Sequence, residues 1–600
     1  MSKTGIPARS EIAQSDRWNL AKLFSTDHEW EAGLAEFEKL CERISSFKGN
    51  LGKSASALAD FMDFSREFGI LEERLAYYAE LRQCEDEGAN EARIMTGKFT
   101  IIAAKAAAGL SWAIPEIQAI ANPKIEEFLR HERLADYRIY IKRLLRWKPY
   151  ILSEAEERLL AIENEADGLV NDTFSVLTNV DLDFGTIETA QGPRTLSQSS
   201  WSVFMENPDR NLRKNAYDAF YRAFESHKTT LAVLYGSSVK KDAIKARVRG
   251  FSSAREAALF PDNVPLSVYD NLIETINANL APLHHYYNLR KRALKLDVLR
   301  HYDVYAPIVP YTSKKTNWNE AVDVISASLA PLGNEYVDIL RGGLLGGWAD
   351  KYENKGKRSG AFSAGSYTTD PYILMNYKED SIRDIFTLTH EGGHSMHSYF
   401  SAKSNPFMHY GYTIFEAEVA STFNEELLFR HLEKESASPE LNLYIVNKRA
   451  DDILSTLYRQ TMFAEFEKIT HQIEESGEAL TVDNLRGEYR KLLEKYFGPD
   501  MVLEESSDME GLRIPHFYRA FYVYKYATGI SASLALAQRV LDGGEKERND
   551  YFAFLKSGGS RFPIDSLKVA GVDMSSPIPV QAACDIFGKL VDKLESLLQV

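Results

Sequence analysis

The residues with the clearest chemical pattern are His390, Glu391 and His394, which form an H-E-x-x-H sequence. Residues four apart lie on one face of an α-helix, about 40° apart, so both imidazoles can converge on one zinc ion. Glu391 lies one residue along, where its carboxylate can reach a zinc-bound water as general base rather than bind the metal. A catalytic zinc usually has three protein ligands and one open position, so this motif predicts a further ligand elsewhere in the chain.

The candidate for that third ligand is Glu418, which lies 24 residues after His394 in the stretch FEAEVASTFNEE. Apolar residues recur around it at helical spacing, and turn formers at 405–411 separate this helix from the first. Glu416 is the alternative, but it lies about 200° around the helix from Glu418, so both cannot face the metal. Glu425, seven residues beyond Glu418, shares its face and is expected to accept a hydrogen bond from a ligand histidine.

The elements around the motif predict how it is held in place. Gly392 and Gly393 lie inside the predicted helix, where each glycine costs about 1 kcal/mol relative to alanine. This cost predicts a close approach at that point by another helix or by substrate. The segment 357–377 is rich in glycine and then resembles a strand, most clearly at 372–377. An edge strand at 372–377 could pair with an extended peptide, as in β-augmentation.

A second candidate cluster lies far downstream, in the stretch IPHFYRAFYVYKYATG at 514–529. A metallopeptidase needs hydrogen-bond donors for the oxyanion that develops during attack on a carbonyl. The crowding of the aromatic hydroxyls of Tyr518, Tyr522, Tyr524 and Tyr526 beside His516 predicts such donors here.

The composition of the 600 residues limits the partners of the protein. The net charge of −15 argues against nucleic acid or an anionic membrane as a partner. The three cysteines are far apart and lack C-x-x-C spacing, so neither a disulfide framework nor a cysteine metal site is expected. Lys105 and Pro115 interrupt the most apolar run, at 99–117, and the N-terminus lacks the apolar core of a signal peptide. These features predict a cytoplasmic protein without a membrane span.

Helical periodicity dominates the chain, which predicts a mainly α fold. Aromatic residues between 18 and 37 are expected to form core, and alternation at 174–198 predicts a β-hairpin. We divide the chain into a flexible lead-in at 1–17, an N-terminal helical region at 18–200 and a catalytic region at 201–600.

These stretches together resemble the oligoendopeptidase F group of the thimet-oligopeptidase-like zinc peptidases. The likeness rests on HEGGHSMHS, FEAEVASTFNEE and IPHFYRAFYVYKYATG, and extends to RWNLAKLF near the start and SGGSRFPIDSLKVAGVDM near the end. Gly392 departs from the family, which often has a larger apolar residue there. The resemblance implies that His516 and one or more of Tyr522 and Tyr524 stabilise the transition state. The tyrosine spacing differs between branches of the family, so the individual roles of Tyr522 and Tyr524 stay open.

The resemblance implies one Zn²⁺ per chain, bound by His390, His394 and Glu418, with Glu391 as general base. It also implies a two-lobed helical body with a deep central channel, whose wall includes the 18–200 region, and a small β-sheet beside the zinc helix. The implied activity is hydrolysis of internal bonds in short to medium oligopeptides. Two alternatives remain at this point: a zinc exopeptidase of the carboxypeptidase kind, and a catalytically silent helical peptide-binding protein. The sequence does not indicate an oligomeric state.

Overall fold

Helices form most of the chain in the computed structural model, which describes residues 5–309, 315–435 and 438–600. The predicted mainly α fold is confirmed. The helices of the first third are α1 (Asp27–Arg43), α2 (Ala55–Glu85), α3 (Asn90–Leu110), α4 (Ala113–Ala119), α5 (Asn122–Phe128), α6 (Arg138–Leu145), α7 (Glu154–Glu163) and α8 (Leu169–Val176). There follow β1 (Thr186–Thr189), β2 (Gly192–Thr195), α9 (Trp201–Met205), α10 (Arg210–Glu225), α11 (Lys228–Val248), α12 (Ala254–Leu259), α13 (Leu266–Ala278), α14 (Ala281–Ala293) and β3 (Leu299–Arg300).

The second half of the chain carries the H-E-x-x-H motif between short strands and long helices. It begins with α15 (Trp318–Ser328), α16 (Asn334–Leu345), β4 (Ala349–Asp350), β5 (Phe362–Ala364), β6 (Tyr372–Leu374), α17 (Ile382–Ser404) and α18 (Ile414–Glu435). It continues with α19 (Pro439–Ile453), a π-helical turn (Leu454–Tyr458), α20 (Arg459–Glu475), α21 (Val482–Phe497), β7 (Met501–Val502), α22 (Tyr524–Asp542), α23 (Glu545–Leu555), α24 (Pro563–Val569) and α25 (Ile578–Leu598). Within the described residues, no helix has an apolar stretch long enough to cross a membrane.

The chain divides into two compact units, each built from three separate stretches. Unit 1 comprises Met1–Pro149, Ser313–His431 and Leu536–Gly571, and unit 2 comprises Tyr150–Thr312, Leu432–Ala535 and Val572–Val600. The division that we predicted between residues 200 and 201 therefore falls inside unit 2. Each unit combines stretches that are distant in sequence, so a single cut in the chain cannot separate the two units.

The aromatic residues near the start form core in unit 1, as predicted. Trp18, Trp30 and Phe37 are buried, and the Trp18 ring meets Tyr372 of β6 edge-on at 6.3 Å. Residues 1–4 of the predicted flexible lead-in lie outside the described residues. The described part is instead fixed to unit 1 by Arg9, whose guanidinium lies 2.5 Å from a carboxylate oxygen of Asp350.

A three-stranded sheet in unit 1 lies beside α17, in the order β4-β6-β5. β6 pairs in parallel with β4 and antiparallel with β5. We predicted that the strand at 372–377 is an edge, and this is wrong, because its Tyr-Ile-Leu run is buried on both faces and occupies the middle. β5 is an edge instead, since among the described residues no strand pairs with its other side.

Unit 2 contains the predicted hairpin in shortened form. β1 and β2 pair antiparallel, with Thr186 opposite Thr195. The first part of the predicted segment, 174–181, is helical and includes a π-helical turn at Leu177–Asp181. Cys41, Cys84 and Cys584 are free thiols.

Candidate metal centre

The H-E-x-x-H motif lies in the middle of α17, which packs closely against α18. A Cβ atom added at Gly393 would lie only 2.6 Å from the backbone oxygen of Ala420 and 2.6 Å from the Cα of Ser421. A Cβ at Gly392 would meet only the side chain of Leu340, at 3.3 Å. The predicted close approach is therefore confirmed at Gly393, where only glycine allows the backbones of α17 and α18 to meet.

This helix contact brings the three predicted ligands together at one point. The Nε2 atoms of His390 and His394 lie 3.1 Å apart. Oε2 of Glu418 lies 3.4 Å from the His390 Nε2 and 3.8 Å from the His394 Nε2. Zinc bonds of about 2.0–2.1 Å at tetrahedral angles place ligand atoms roughly 3.3 Å apart. The spacing of these three atoms therefore fits a tetrahedral metal ion.

Hydrogen bonds orient both imidazoles. Nδ1 of His390 donates to Oε1 of Glu425 at 2.6 Å, as predicted from the position of Glu425, while His394 hydrogen-bonds to the backbone of Ala417. Burial alone would lower the pKa of His390, but the hydrogen bond and charge of Glu425 raise it to about 9. Burial and the neighbouring His390 lower the pKa of His394 to about 3. Such partners fix which ring nitrogen faces the metal and increase the basicity of the ligand.

The structure distinguishes the two candidate glutamates on α18. Glu416 is buried and turned towards Thr413, whose backbone N–H donates to Oε2 at 3.4 Å. Burial raises the pKa of Glu416 to about 7, in part offset by the hydrogen bonds from Thr413. Glu418 remains 37% exposed beside the two histidines, which are 25% and 17% exposed. Of the two glutamates, Glu418 is therefore the one whose carboxylate lies beside both histidines and is partly open to solvent.

Glu391 occupies a drier position, in contact with the sheet. Its side chain is 7% exposed and accepts a hydrogen bond from the backbone N–H of Ser363 in β5. Burial raises the pKa of Glu391 to about 7, against the opposing effect of His390. A carboxylate with a pKa near neutrality can take up and release a proton during turnover, as a general base must.

The open edge of β5 runs past this group, between two cavities of unit 1. Ser363 Oγ lies 2.8 Å from Ser395 Oγ on α17, and a Cβ at Gly365 would clash with Ser398. A cavity of about 410 Å³ follows Phe362–Gly365 and is also lined by Tyr412. A second cavity, of about 460 Å³, lies beside residues 359–361 and reaches Glu391. The sequence indicated this strand only through its glycine-rich composition, and the sheet order was needed to recognise it.

The predicted oxyanion donors lie in unit 2. His516 and Tyr522 stack at a ring distance of 6.4 Å, and Tyr526 contacts both rings edge-on. Phe521, immediately before Tyr522, has a φ of +55°, which a bulky residue rarely adopts. Its backbone N–H donates to the buried carboxylate of Glu467 at 2.9 Å. Backbone strain of this kind is typical of functional sites, so its position next to Tyr522 supports a role for this segment.

Tyr524 occupies a different environment from Tyr522. Its side chain is 0% exposed, and its ring packs 5.1 Å from that of Tyr269 in the core of unit 2. Burial raises the pKa of the Tyr524 hydroxyl. The spacing of tyrosines in sequence could not separate the buried Tyr524 from its more exposed neighbours. Tyr526, which we did not choose, shares the cluster with His516.

Comparison with known proteins identifies the family. The model of "Peptidase family M3" matches residues 203–586, and that of "Oligopeptidase F" matches residues 116–184. The chain is 42% identical to oligopeptidase PepF of Bacillus subtilis, over 99% of this chain and 89% of that protein. It is 41% identical to an oligoendopeptidase F homolog of Borreliella burgdorferi, over 98% and 100% of the two chains.

A solved structure supports the same assignment. A crystal structure from Chlamydophila abortus is 36% identical and superimposes with a TM-score of 0.93, over 99% of this chain and 100% of that one. The resemblance that the motifs indicate is thereby confirmed. The chain belongs to peptidase family M3, as an oligopeptidase of the oligoendopeptidase F group.

Proposed function

We propose that this oligopeptidase uses one zinc ion per chain, bound by His390, His394 and Glu418, to hydrolyse internal bonds of short to medium oligopeptides. The observation that carries this proposal is the convergence of three ligand atoms, 3.1–3.8 Å apart, beside a buried glutamate. Imidazole and carboxylate ligands suit zinc, and a site with three protein ligands leaves a position for chemistry.

The residues around the site have separate tasks in this mechanism. A zinc ion at these ligands supplies Lewis acidity, which polarises a carbonyl and acidifies water. Glu391 takes the proton from the attacking water and then delivers it to the amine that leaves. Glu425 holds His390 in the tautomer that directs Nε2 to the metal. The open edge of β5 binds the peptide backbone in extended form, with the scissile bond opposite Glu391.

We further propose His516 and Tyr522 of unit 2 as donors to the oxyanion that forms during attack. Both groups lie in the same ring cluster and are accessible, whereas Tyr524 is enclosed by its own unit. We therefore expect Tyr524 to support the segment rather than to contact substrate. The substrates are oligopeptides. The scarcity of cysteine in the chain favours a reducing cytoplasm as the location of the protein.

One experiment tests the function directly. The protein is incubated with a mixed peptide pool and, separately, with folded proteins, with and without a metal chelator, and the products are identified by mass spectrometry. We expect internal cleavage of short peptides that stops on chelation, while folded proteins stay intact. Removal of single residues from one end would favour an exopeptidase, and no cleavage of any peptide would favour a silent binding protein.

A further inference from the structure

Glu467 is a buried carboxyl group of unit 2 to which the proposed chemistry gives no role. It projects from α20 and is 0% exposed, and no lysine or arginine of the described ranges forms an ion pair with it. Burial, and then the nearby negative charge of Asp242, raises the pKa of Glu467 well above its ordinary value, so the neutral form is favoured. Burying a polar group of this kind is unfavourable unless hydrogen bonds compensate for it.

The side chain of Glu467 makes one hydrogen bond within the part of the chain that the structure describes. Oε1 accepts from the backbone N–H of Phe521 at 2.9 Å, and Oε2 has no partner among these residues. The φ of Phe521 is +55°, in the left-handed region that bulky residues rarely adopt. The buried carboxyl therefore serves a single backbone amide, and that amide belongs to a strained residue.

The ring of Phe521 is held by the same helix. Phe521 is buried, and its ring lies 4.5 Å from the ring of His471 and 5.7 Å from that of Tyr269. His471 follows Glu467 by one turn of α20, and its Nδ1 donates to the Glu467 backbone carbonyl at 2.8 Å. A strained backbone conformation persists only where its surroundings enforce it. Here α20 enforces it by holding both the amide and the ring of Phe521.

The turn at Phe521 sets the arrangement of the proposed oxyanion donors. His516 lies in a short 3-10 turn (Pro515–Tyr518), and Tyr522 directly follows Phe521. Six residues of extended chain span about 20 Å, whereas the rings of His516 and Tyr522 are 6.4 Å apart. Between them the chain must reverse, and Phe521 is the residue of this stretch with a positive φ. The conformation of Phe521 therefore determines where Tyr522 lies relative to His516.

We propose that Glu467 is a positioning residue for catalysis, which holds the amide of Phe521 and thereby fixes Tyr522 beside His516. This proposal rests on the proposed function and adds to it a residue that is too buried to contact substrate. A donor acts on the oxyanion only at about 2.7–3.1 Å, and a misplacement of about 1 Å can lower the rate roughly 100-fold. A change of φ at Phe521 to the common negative range would move the Tyr522 hydroxyl by more than this.

Two substitutions of Glu467 test the proposal. Glu467→Met keeps an unbranched side chain and removes the acceptor, whereas Glu467→Gln keeps an acceptor oxygen at the same place. With rates expressed per folded, zinc-loaded chain, we expect Glu467→Met to lower kcat by roughly 10- to 100-fold. KM should change little, because hydrogen bonds to the oxyanion form only in the transition state. Glu467→Gln should retain most of the natural kcat.

Thr470→Val is the matched control on the same helix. The Thr470 hydroxyl hydrogen-bonds to the hydroxyl of Tyr235 at 2.8 Å, and both groups are buried. The substitution therefore removes a buried hydrogen bond of α20 but leaves the acceptor for Phe521 in place. We expect a lower unfolding midpoint and the natural kcat. A loss of kcat as large as that of Glu467→Met would show that any damage to α20 impairs turnover, and would overturn the proposal.

A double-mutant cycle with Tyr522→Phe shows through which group Glu467 acts. In a chain that carries Tyr522→Phe, we expect Glu467→Met to lower kcat by a smaller factor than in the natural chain, because the hydroxyl that it positions is absent. Equal factors in the two chains, or the natural kcat in Glu467→Met, would overturn the proposal and leave the proposed function intact. The natural kcat in Tyr522→Phe would instead refute the oxyanion role of Tyr522, and this proposal with it.

Discussion

Alanine at Gly393 should weaken the metal centre, whereas alanine at the adjacent Gly392 should not. An added Cβ at Gly393 lies 2.6 Å from backbone atoms of α18, about 0.8 Å inside the 3.4 Å at which ordinary contact begins. Backbone cannot rotate away, so α18 must move, and Glu418 moves with it. Metal–ligand distances tolerate about 0.2 Å, so a shift of this size disturbs the site. At Gly392 the Cβ meets only the flexible end of Leu340, at 3.3 Å.

The expected magnitudes follow from packing and helix propensity. Overpacking of a rigid contact costs about 1–3 kcal/mol, while replacing a glycine inside a helix by alanine contributes about 1 kcal/mol of stability in both variants. We therefore expect Gly392→Ala to be neutral or stabilising. We expect Gly393→Ala to lower the free energy of unfolding and to reduce zinc affinity by roughly tenfold or more, as for other changes that displace ligands.

The two variants are compared by chelator competition for zinc affinity and by denaturant unfolding with and without zinc. The pair is a matched control, because both carry the same substitution on neighbouring residues of one helix. Equal zinc affinity in Gly393→Ala and the natural chain would refute the argument that this glycine sets the position of Glu418. A large loss of zinc affinity in Gly392→Ala would show that any added side chain in α17 disturbs the site, rather than only one at the contact with α18.

Three other predictions follow from the contacts described above. Glu425→Gln removes the charge that balances His390, so zinc affinity should fall about 10- to 100-fold in a chelator titration, and an unchanged affinity would contradict this role. Burial lowers the pKa of His301 to about 4, below the value of about 6.5 for an unfolded chain. As the pH falls from 6.5 towards 4, the unfolded chain therefore takes up a proton that the folded chain does not, and the free energy of unfolding decreases by about 3 kcal/mol. Thermal unfolding of His301→Phe should depend less on pH in that interval, and an identical pH dependence would exclude the effect. Tyr522→Phe should lower kcat with little change in the unfolding midpoint, whereas Tyr524→Phe should change the midpoint more than kcat. The opposite result would assign the oxyanion role to the buried Tyr524.

The grouping of His390, His394 and Glu418 was predictable because its information is local. The spacing of His390 and His394 defines a helix face, and apolar periodicity places Glu418 and Glu425 on a second one. The preference for Glu418 over Glu416 needed only the angle between them, and the contacts of Glu416 with Thr413 agree with it.

The rest could not be predicted because it depends on which distant segments meet. A run such as Tyr372–Leu374 has the same composition whether one or two strands flank it, so the sequence did not reveal that β5 is the edge. The limits of the two units are likewise hidden, since each combines three stretches. Nor does spacing show that Tyr524 faces the core while Tyr522 does not, because that depends on the turn at Phe521.

The most direct test of the mechanism is the turnover of the Glu391→Gln variant, measured together with its metal content. Glutamine keeps the size of the side chain but cannot take a proton from water. We expect one zinc per chain, an unchanged unfolding midpoint and a kcat lower by roughly 100- to 10,000-fold, the range that general acid–base catalysis contributes. Turnover at the natural rate with zinc bound would contradict the role of Glu391.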